Sequence, residues 1–260
     1  MAFTVSGGVR VRDVRAILFD MGGTLREPFR RSRDFEGIKR AVVDIMRIIG
    51  LEGDTDYYAD LILNNYYRYK KWASENMEEL NERDIWSKWI LPQFPRQKLM
   101  PYAVKINEIF KRSLGESPLR GEADRVIRVL HSRGYKLGIV SNTFSSITTP
   151  KLLEERGLKE FFDVMVLSSL HGKRKPDPSM VVDALQVLGI EPRNAAFVGD
   201  RVERDIAAAR GAGIGVAVLL VDSKSNEGRK GTSNPPDFTS DELTPDIVIN
   251  NLEELLEIFE

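Results

Sequence analysis

The stretch "AILFDMGGTL", residues 16–25, places an aspartate at the end of an apolar run and follows it with two glycines. Short apolar runs rich in Val and Ile predict buried strands of a parallel sheet when helical patterns alternate with them. Asp20 would then stand at the carboxyl end of a strand, which is the edge where open parallel sheets bind their ligands. The stretch therefore predicts a fold class and the position of a functional group.

Similar apolar runs recur along the chain and alternate with amphipathic patterns such as "EADRVIRVLHSRG" (122–134) and "PDPSMVVDALQVLG" (176–189). Such alternation is typical of an α/β fold with a doubly wound, Rossmann-like parallel sheet. The predicted strands are residues 14–19, 136–141, 164–167, 195–198, 215–220 and 247–249.

One long interval, residues 27–117, breaks the alternation with helical patterns and no convincing strand. We interpret it as an all-α domain inserted after the first strand, with residues 1–26 and 118–260 forming the sheet domain. The polar segment 222–246 predicts a loop. The tyrosines and tryptophans of the insertion are expected to make core and helix contacts, the alternative being that some face a ligand; they are Tyr57, Tyr58, Tyr66, Tyr67, Tyr69, Trp72, Trp86 and Trp89.

Composition excludes several classes of function. A net charge of -1 and a sequence pI near 6.3 argue against a nucleic-acid or anionic-membrane partner. The chain has no cysteine and only two histidines, so a bound metal must be held by oxygen. It also lacks a secretory leader pattern and a run of about 18 apolar residues, so no membrane span and a cytoplasmic location are expected. The sequence does not define an oligomeric state.

Acidic side chains follow two of the predicted strands. Asp20 ends the first and Asp200 the fourth, while Asp205 falls in the first turn of the next helix. Carboxylates gathered in one crevice repel each other unless a cation lies between them, and oxygen ligands favour Mg²⁺. In a structural alternative, Asp205 stabilises the helix start and pairs with Arg201 or Arg204.

Two further segments carry polar groups to the same predicted edge. Ser141 and Asn142 stand where the second strand gives way to a loop, a position suited to holding phosphate oxygens. Lys175 precedes a proline, which keeps its backbone extended and fixes its direction. The alternatives are that Ser141 and Asn142 only form a turn and that Lys175 is a solvated loop lysine.

Taken together, "FDMGGTL" (19–25), "VSN" (140–142), "KRKPDP" (173–178) and "GDRVERD" (199–205) resemble, in order and spacing, the four motifs of the haloacid dehalogenase superfamily of hydrolases. The helical insertion resembles that family's cap domain in position and character. The resemblance implies that Asp20 is a nucleophile that forms an aspartyl-phosphate, with Lys175 offsetting negative charge beside it. It also implies phosphate binding by Thr24, Ser141, Asn142 and Lys175. Mg²⁺ would be held by Asp20, the carbonyl of Gly22 and Asp200, with Asp205 binding the ion directly or through one of its other ligands.

Gly22 departs from the pattern, because phosphatases of this family usually carry a second aspartate there as general acid and base. Such assistance is worth about 10²–10⁴-fold in rate, so a slow phosphatase acting on a small phosphorylated metabolite is expected. The alternatives are a metal-free 2-haloacid dehalogenase-type enzyme, a low-turnover phosphoryl-binding regulatory protein, and a phosphonatase-type enzyme using a cap lysine such as Lys39, Lys70 or Lys71. The paired Asp200 and Asp205 favour Mg²⁺-dependent phosphatase chemistry.

The run "LREPFRRSRDFEG" (25–37) leads from the first motif into the insertion. Its arginines are Arg26, Arg30, Arg31 and Arg33. They either face an anionic substrate or form a solvated hinge. In the first case, replacing Arg30 or Arg31 with alanine raises the KM for a phosphorylated substrate.

Overall fold

A computed structural model describes residues 11–28, 30–31, 34–221 and 243–260. Apart from residues 243–246, the loop predicted at 222–246 lies outside this part of the chain. Across the described ranges, none of the helices combines the length and the hydropathy that a membrane-spanning segment requires.

Six parallel strands form one sheet in the order β5-β4-β1-β6-β7-β8, which confirms the predicted fold class. The first strand lies in the middle, so its carboxyl end opens between two neighbours. In chain order the strands are β1 (Ala16–Phe19), β2 (Arg30–Arg31), β3 (Gly115–Glu116), β4 (Lys136–Ser141), β5 (Val164–Leu167), β6 (Ala195–Gly199), β7 (Val216–Leu220) and β8 (Ile247–Ile249).

Helices pack on both faces of this sheet. Because successive strand residues point to opposite faces, Ile17 of β1 joins the apolar cluster that contains Val126, while Leu18 joins the cluster that contains Met180. In chain order the helices are α1 (Phe35–Ile49), α2 (Thr55–Asn76), α3 (Glu82–Asp84), α4 (Arg96–Leu99), α5 (Ala103–Ser113), α6 (Ala123–Ser132), α7 (Thr148–Glu155), α8 (Ser168–His171), α9 (Ser179–Leu188), α10 (Ala207–Gly211) and α11 (Leu255–Ile258). π-Helical turns extend α3 over Ile85–Ile90 and precede α10 over Val202–Ile206.

The helices α1 to α5 form a unit with an apolar core of its own, centred on Tyr69, Trp86 and Phe110. The side chain of Asp34 caps the start of α1, and that of Asp54 caps the start of α2. Most of the aromatic residues expected in this core are buried or partly buried there. Tyr57 and Tyr67 are exposed, and their rings contact those of Tyr58 and Tyr66 on the same helix.

A short antiparallel ribbon joins the helical unit to the sheet. Arg30 pairs with Glu116 and Arg31 with Gly115, so β2 and β3 lie side by side where the chain leaves and returns. The expectation of an insertion without strands is therefore wrong at its two ends. Two residues are too short to give a period-two pattern, so the sequence offers no signal for these strands.

Candidate active site

Asp20 lies at the carboxyl end of β1 and is buried, with 2% of its surface exposed. Its backbone N–H donates to the carbonyl of Val198 at 2.9 Å, which continues the pairing of β1 with β6. Since β4 and β6 flank β1, the residues that end these strands, Ser141 and Asp200, lie to either side of Asp20.

Lys175 is the buried counter-ion of Asp20. Its ammonium donates to Asp20 Oδ1 at 2.7 Å and to the Val140 carbonyl at 2.6 Å, and lies 2.9 Å from Asp205 Oδ1. The side chain of Asn142 accepts from the Lys175 N–H at 2.9 Å and donates to its carbonyl at 2.8 Å. The second motif therefore holds the lysine of the third in place, and Asn142 acts on Lys175 through its amide group.

Three carboxylates converge at this edge. Asp20, Asp200 and Asp205 each offer an oxygen, and these oxygens all lie within 4.8 Å of one another. Burial and the negative charges of Asp20 and Asp205 together raise the pKa of Asp200 to about 7, against the opposing charges of Arg204 and Arg201. Burial also acts to raise the pKa of Asp205, but the charges of Lys175 and Arg204 outweigh it and hold that pKa at about 2.

This donor set fits a divalent cation. Oδ2 of Asp20 is buried and makes no hydrogen bond within the described part of the chain. A buried carboxylate oxygen that accepts no hydrogen bond needs a nearby cation; Arg204 forms an ion pair with it at 3.5 Å, and a divalent cation at ligand distance would compensate it more fully. Together with Asp200 and Asp205, this oxygen gives the all-oxygen ligation that suits Mg²⁺.

The guanidinium of Arg204 also lies among these carboxylates. Its Nη2 is 3.5 Å from Asp20 Oδ2 and 3.2 Å from Asp200 Oδ1, and its Nε is 3.3 Å from Asp205 Oδ1. Burial lowers the pKa of Arg204, but these three negative charges raise it more. The structural alternative for Asp205 thus holds as well, since this carboxylate both pairs with Arg204 and accepts from the Arg201 N–H at 3.0 Å.

The two glycines of the first motif differ in what they permit. Gly23 has φ of 97°, and a Cβ there would lie 2.2 Å from Asp200 Oδ2, so this position needs glycine. Gly22 is exposed and lies outside the left-handed region, and a Cβ there would meet nothing within 4 Å. The backbone therefore accommodates a side chain at Gly22.

A cavity of about 590 Å³ lies between this edge and the helical unit. Asp20, Gly22, Ser141 and Asn142 line it. Thr24 does not; it is fully buried, and its hydroxyl has no hydrogen-bond partner among the described residues.

Within the described residues, the cationic side chains around this cavity outnumber the acidic ones. The cationic ones are Arg26, Lys70, Lys111, Arg112, Lys151 and Arg204, and the acidic ones are Asp20, Glu108 and Glu155. Of the arginines that follow the first motif, Arg26 lines the cavity, and burial lowers its pKa. The side chains of Arg30 and Arg31, and the whole of Arg33, lie outside the part of the chain that the structure describes.

A buried polar group ties the helical unit to the loop that carries Lys175. The carboxylate of Glu79 pairs with Arg174, accepts from the Tyr69 hydroxyl, and accepts from Ser168 Oγ at 3.1 Å. Sequence reasoning did not identify this pair, because acidic and basic residues in polar segments normally face solvent.

Comparisons with known proteins agree with this geometry. The family model of haloacid dehalogenase-like hydrolases matches residues 14–213. A phosphoglycolate phosphatase of Aquifex aeolicus is 29% identical over 80% of this chain and 85% of its own. A glyceraldehyde 3-phosphate phosphatase of Methanopyrus kandleri is 28% identical over 94% of this chain and 97% of its own.

Among solved structures, a 2-haloacid dehalogenase from Pseudomonas syringae pv. Tomato covers 94% of this chain and 97% of its own with a TM-score of 0.63 and 19% identity. A HAD phosphatase from Thermococcus onnurineus covers the same shares with a TM-score of 0.57 and 23% identity. At these identities the likeness concerns the fold. With the family model spanning most of the chain, the protein belongs to the haloacid dehalogenase-like hydrolase family.

Proposed function

We propose that this protein is a Mg²⁺-dependent phosphatase that hydrolyses small phosphate monoesters through an aspartyl-phosphate on Asp20. The observation that carries the proposal is the placement of Asp20: its carboxylate lies beside Asp200 and Asp205, is paired with Lys175, and lines the cavity. The names of the two relatives given above, both phosphatases, support the same reaction.

In the proposed first step, a carboxylate oxygen of Asp20 attacks phosphorus, and the bond between phosphorus and the ester oxygen breaks. Lys175 holds the attacked group close and offsets the negative charge that a carboxylate and a phosphate bring together. In the second step, water attacks the aspartyl-phosphate, which releases inorganic phosphate and restores Asp20. The sum is one ester and one water converted to one alcohol and one phosphate.

Mg²⁺ would be held by Asp20, Asp200, Asp205 and the carbonyl of Gly22, and when bound it supplies Lewis-acid stabilisation of the transferred group. Ser141 lines the cavity next to Asp20 and is suited to donate to a phosphoryl oxygen. Thr24 is proposed to support this end of the site from its buried position.

The departing oxygen must gain a proton, and Gly22 has no side chain to supply one. We infer that turnover is slow with poor leaving groups and faster with activated esters such as p-nitrophenyl phosphate, whose leaving group needs no acid.

Phosphate release from a panel of sugar, nucleotide and acid phosphates, with and without Mg²⁺, tests the proposal. Replacing Asp20 with asparagine should lower kcat by about 10³-fold or more, because the nucleophile is lost. Asp44→Asn, which changes an exposed carboxylate paired with Arg47, is the control and should leave kcat unchanged. Equal rates for Asp20→Asn and the unaltered protein would eliminate the proposal.

A dehalogenase is the second candidate, because a carbon-directed attack by Asp20 needs no acid at Gly22. The same assays should include 2-chloropropionate, with chloride release as the readout. Halide release that persists with EDTA would favour this candidate. A phosphorylated Asp20 that accumulates after the alcohol has left, with little release of inorganic phosphate, would favour a regulatory, phosphoryl-binding role.

A further inference from the structure

Two lysines of the helical unit reach the cavity from separate helices. Lys70 belongs to α2 and Lys111 to α5, and both line the cavity that Asp20 also lines. Their ammonium groups lie 5.7 Å and 5.3 Å from the centre of the Phe144 ring. From the sequence, Lys70 is one of three candidate cap lysines for a phosphonatase-type enzyme, and no pattern points to Lys111.

The backbone of Phe144, whose ring both lysines approach, is fixed by buried hydrogen bonds. The carbonyl of Phe144 accepts from the side-chain amide of Asn107 at 2.9 Å, and Asn107 in turn accepts from the indole N–H of Trp86 at 3.1 Å. Lys111 also donates to Thr143 Oγ1 at 3.1 Å. Phe144 and Thr143 lie in the loop that follows β4, so the two ammonium groups of the helical unit lie against side chains that the sheet domain supplies.

Neither lysine has a carboxylate partner within 4 Å among the described residues, although both are partly buried. Other lysines of the chain do: Lys151, in the same cavity wall, lies 2.9 Å from Glu108, and Lys39 lies 2.8 Å from Asp56. Two neighbouring cations shielded from water without an anion are unfavourable by themselves. An anion delivered by a ligand relieves that cost.

The lowered pKa values of Lys70 and Lys111 are consistent with two amines that have no carboxylate partner within 4 Å in the described part of the chain. Burial lowers the pKa of Lys70 to about 7, with the charges of Arg174 and Arg204 acting in the same direction. Burial, together with the nearby charges of Arg26 and Lys70, lowers the pKa of Lys111 to about 7, against the opposing charge of Glu82. A bound anion would raise both values, so such a ligand would bind with proton uptake.

The Asp20 end of the cavity already supplies what the phosphoryl group needs, namely Lys175, Arg204 and the acidic cluster that fits Mg²⁺. A cavity of about 590 Å³ also holds more than a phosphoryl group. We propose that Lys70 and Lys111 bind a second anionic group of the substrate, so that the preferred substrates are small phosphate monoesters that also carry a carboxylate or a second phosphate. This inference rests on the proposed phosphatase function.

Matched substrate pairs test the inference. 2-Phosphoglycolate and 2-hydroxyethyl phosphate differ in a carboxylate, and so do 3-phosphoglycerate and glyceraldehyde 3-phosphate. Fructose 1,6-bisphosphate and fructose 6-phosphate differ in a second phosphate. We expect kcat/KM to favour the doubly anionic member in at least one pair by about 10–100-fold, the range of a charge-assisted hydrogen bond. Comparing the preference in the carboxylate pairs with that in the bisphosphate pair identifies which anionic group the lysines bind better.

Lys70→Met and Lys111→Met should each raise KM for the preferred member by about tenfold or more and change kcat/KM of its partner less than about threefold. Lys71→Met is the control, because Lys71 is the next residue of α2, is exposed, and lies 3.8 Å from Glu75. Lys70→Arg should restore most of the preference. Thermal unfolding midpoints should stay equal or rise for both Met variants, since an uncompensated charge is removed.

Binding to Asp20→Asn, measured by calorimetry, separates this inference from the proposed function. One outcome is that no ester is hydrolysed, yet the doubly anionic member binds more tightly than its partner and loses this advantage in Lys70→Met and Lys111→Met. In that case only the proposed function fails. If Lys70→Met lowers kcat equally for both members of every pair, Lys70 acts on the reaction itself and the inference is overturned. Equal binding of both members by all variants would also overturn it.

Discussion

The two ends of the cavity treat charge in opposite ways. At one end, which we call the floor, Asp20, Lys175, Asp200, Arg204 and Asp205 contact one another within 2.7–3.5 Å. At the other, which we call the roof, Lys70 and Lys111 lie against an aromatic ring and have no carboxylate partner within 4 Å among the described residues. The floor pairs most of its charges internally, with three carboxylates against two cations, whereas the charges of the roof are paired only when an anion binds.

Because of this difference, we expect the floor residues to contribute mainly to folding stability and the roof lysines mainly to substrate specificity. Breaking a compensated buried network leaves an unpaired charge behind, whereas removing an uncompensated charge leaves nothing unpaired. The same substitution, lysine to methionine, should therefore have opposite consequences at the two ends of one cavity.

Lys175→Met should have the largest effect on folding. Losing the cation between Asp20 and Asp205 leaves two buried carboxylates facing each other, which costs about 3–5 kcal/mol of the free energy of unfolding. Urea unfolding measures this change, and added Mg²⁺ should restore part of it by binding the folded state. Lys70→Met is the matched control and should leave the free energy of unfolding equal or slightly higher, within about 1 kcal/mol. Equal losses at the two positions would remove the distinction between floor and roof.

Gly22→Asp should have the next largest effect, this time on rate. The structure leaves room for the side chain, and an acid there can protonate the departing oxygen, so kcat for an unactivated ester should rise by about 10²-fold. Gly22→Asn has nearly the same shape and no acid, and should leave kcat where it was. A gain in both variants would show that packing, not proton transfer, limits the reaction.

Arg204→Gln tests whether the guanidinium competes with Mg²⁺ for the floor carboxylates. Since the guanidinium lies among the three carboxylates, its removal should tighten Mg²⁺ binding by about tenfold, or 1.4 kcal/mol. Calorimetric titration with Mg²⁺ measures it. Arg201→Gln is the control, because Arg201 lies 3.6 Å from one of these carboxylates, that of Asp200, and is more exposed. Weaker Mg²⁺ binding in Arg204→Gln would show that Arg204 supports the cation site.

The smallest effect concerns pH and the roof. The pKa values of Lys70 and Lys111 are lowered to about 7, so both amines carry charge below that pH and lose it above. The ratio of kcat/KM within a substrate pair, which reports the free enzyme and cancels the titration of the shared phosphate, should fall as pH rises from 6 to 9. The charged groups around the two amines are Arg26, Glu82, Arg174 and Arg204. A ratio that stays constant over this range contradicts the assignment.

The sequence predicted the sheet and much of the floor because local signals were strong. Apolar runs marked all six parallel strands to within two residues at each end, and the structure places Asp20, Lys175, Asp200 and Asp205 together as the motifs indicated. The roles of these residues, and the domain boundaries at residues 27 and 117, remain predictions.

The roof could not be predicted in the same way. Lys70 and Lys111 lie on different helices, more than 30 residues apart, and an amphipathic pattern assigns any lysine to the solvent face. The sequence indicates Arg204 only as a partner of Asp205. Its contacts with all three carboxylates arise from the tertiary structure, which brings Asp20 and Asp200 to the same guanidinium. Glu79 is likewise buried because partners far along the chain meet it, among them Arg174, which is 95 residues away.

The ribbon of β2 and β3 has a consequence for how such a protein can change. It places the points where the chain leaves the sheet domain and returns to it side by side, so the segment between them can be exchanged as one block. A different helical segment could be exchanged there while β1, β4 and β6 keep their register, provided that it supplies a new partner for the buried Arg174. The choice of substrate could then evolve, or be engineered, without rebuilding the groups that carry out the reaction.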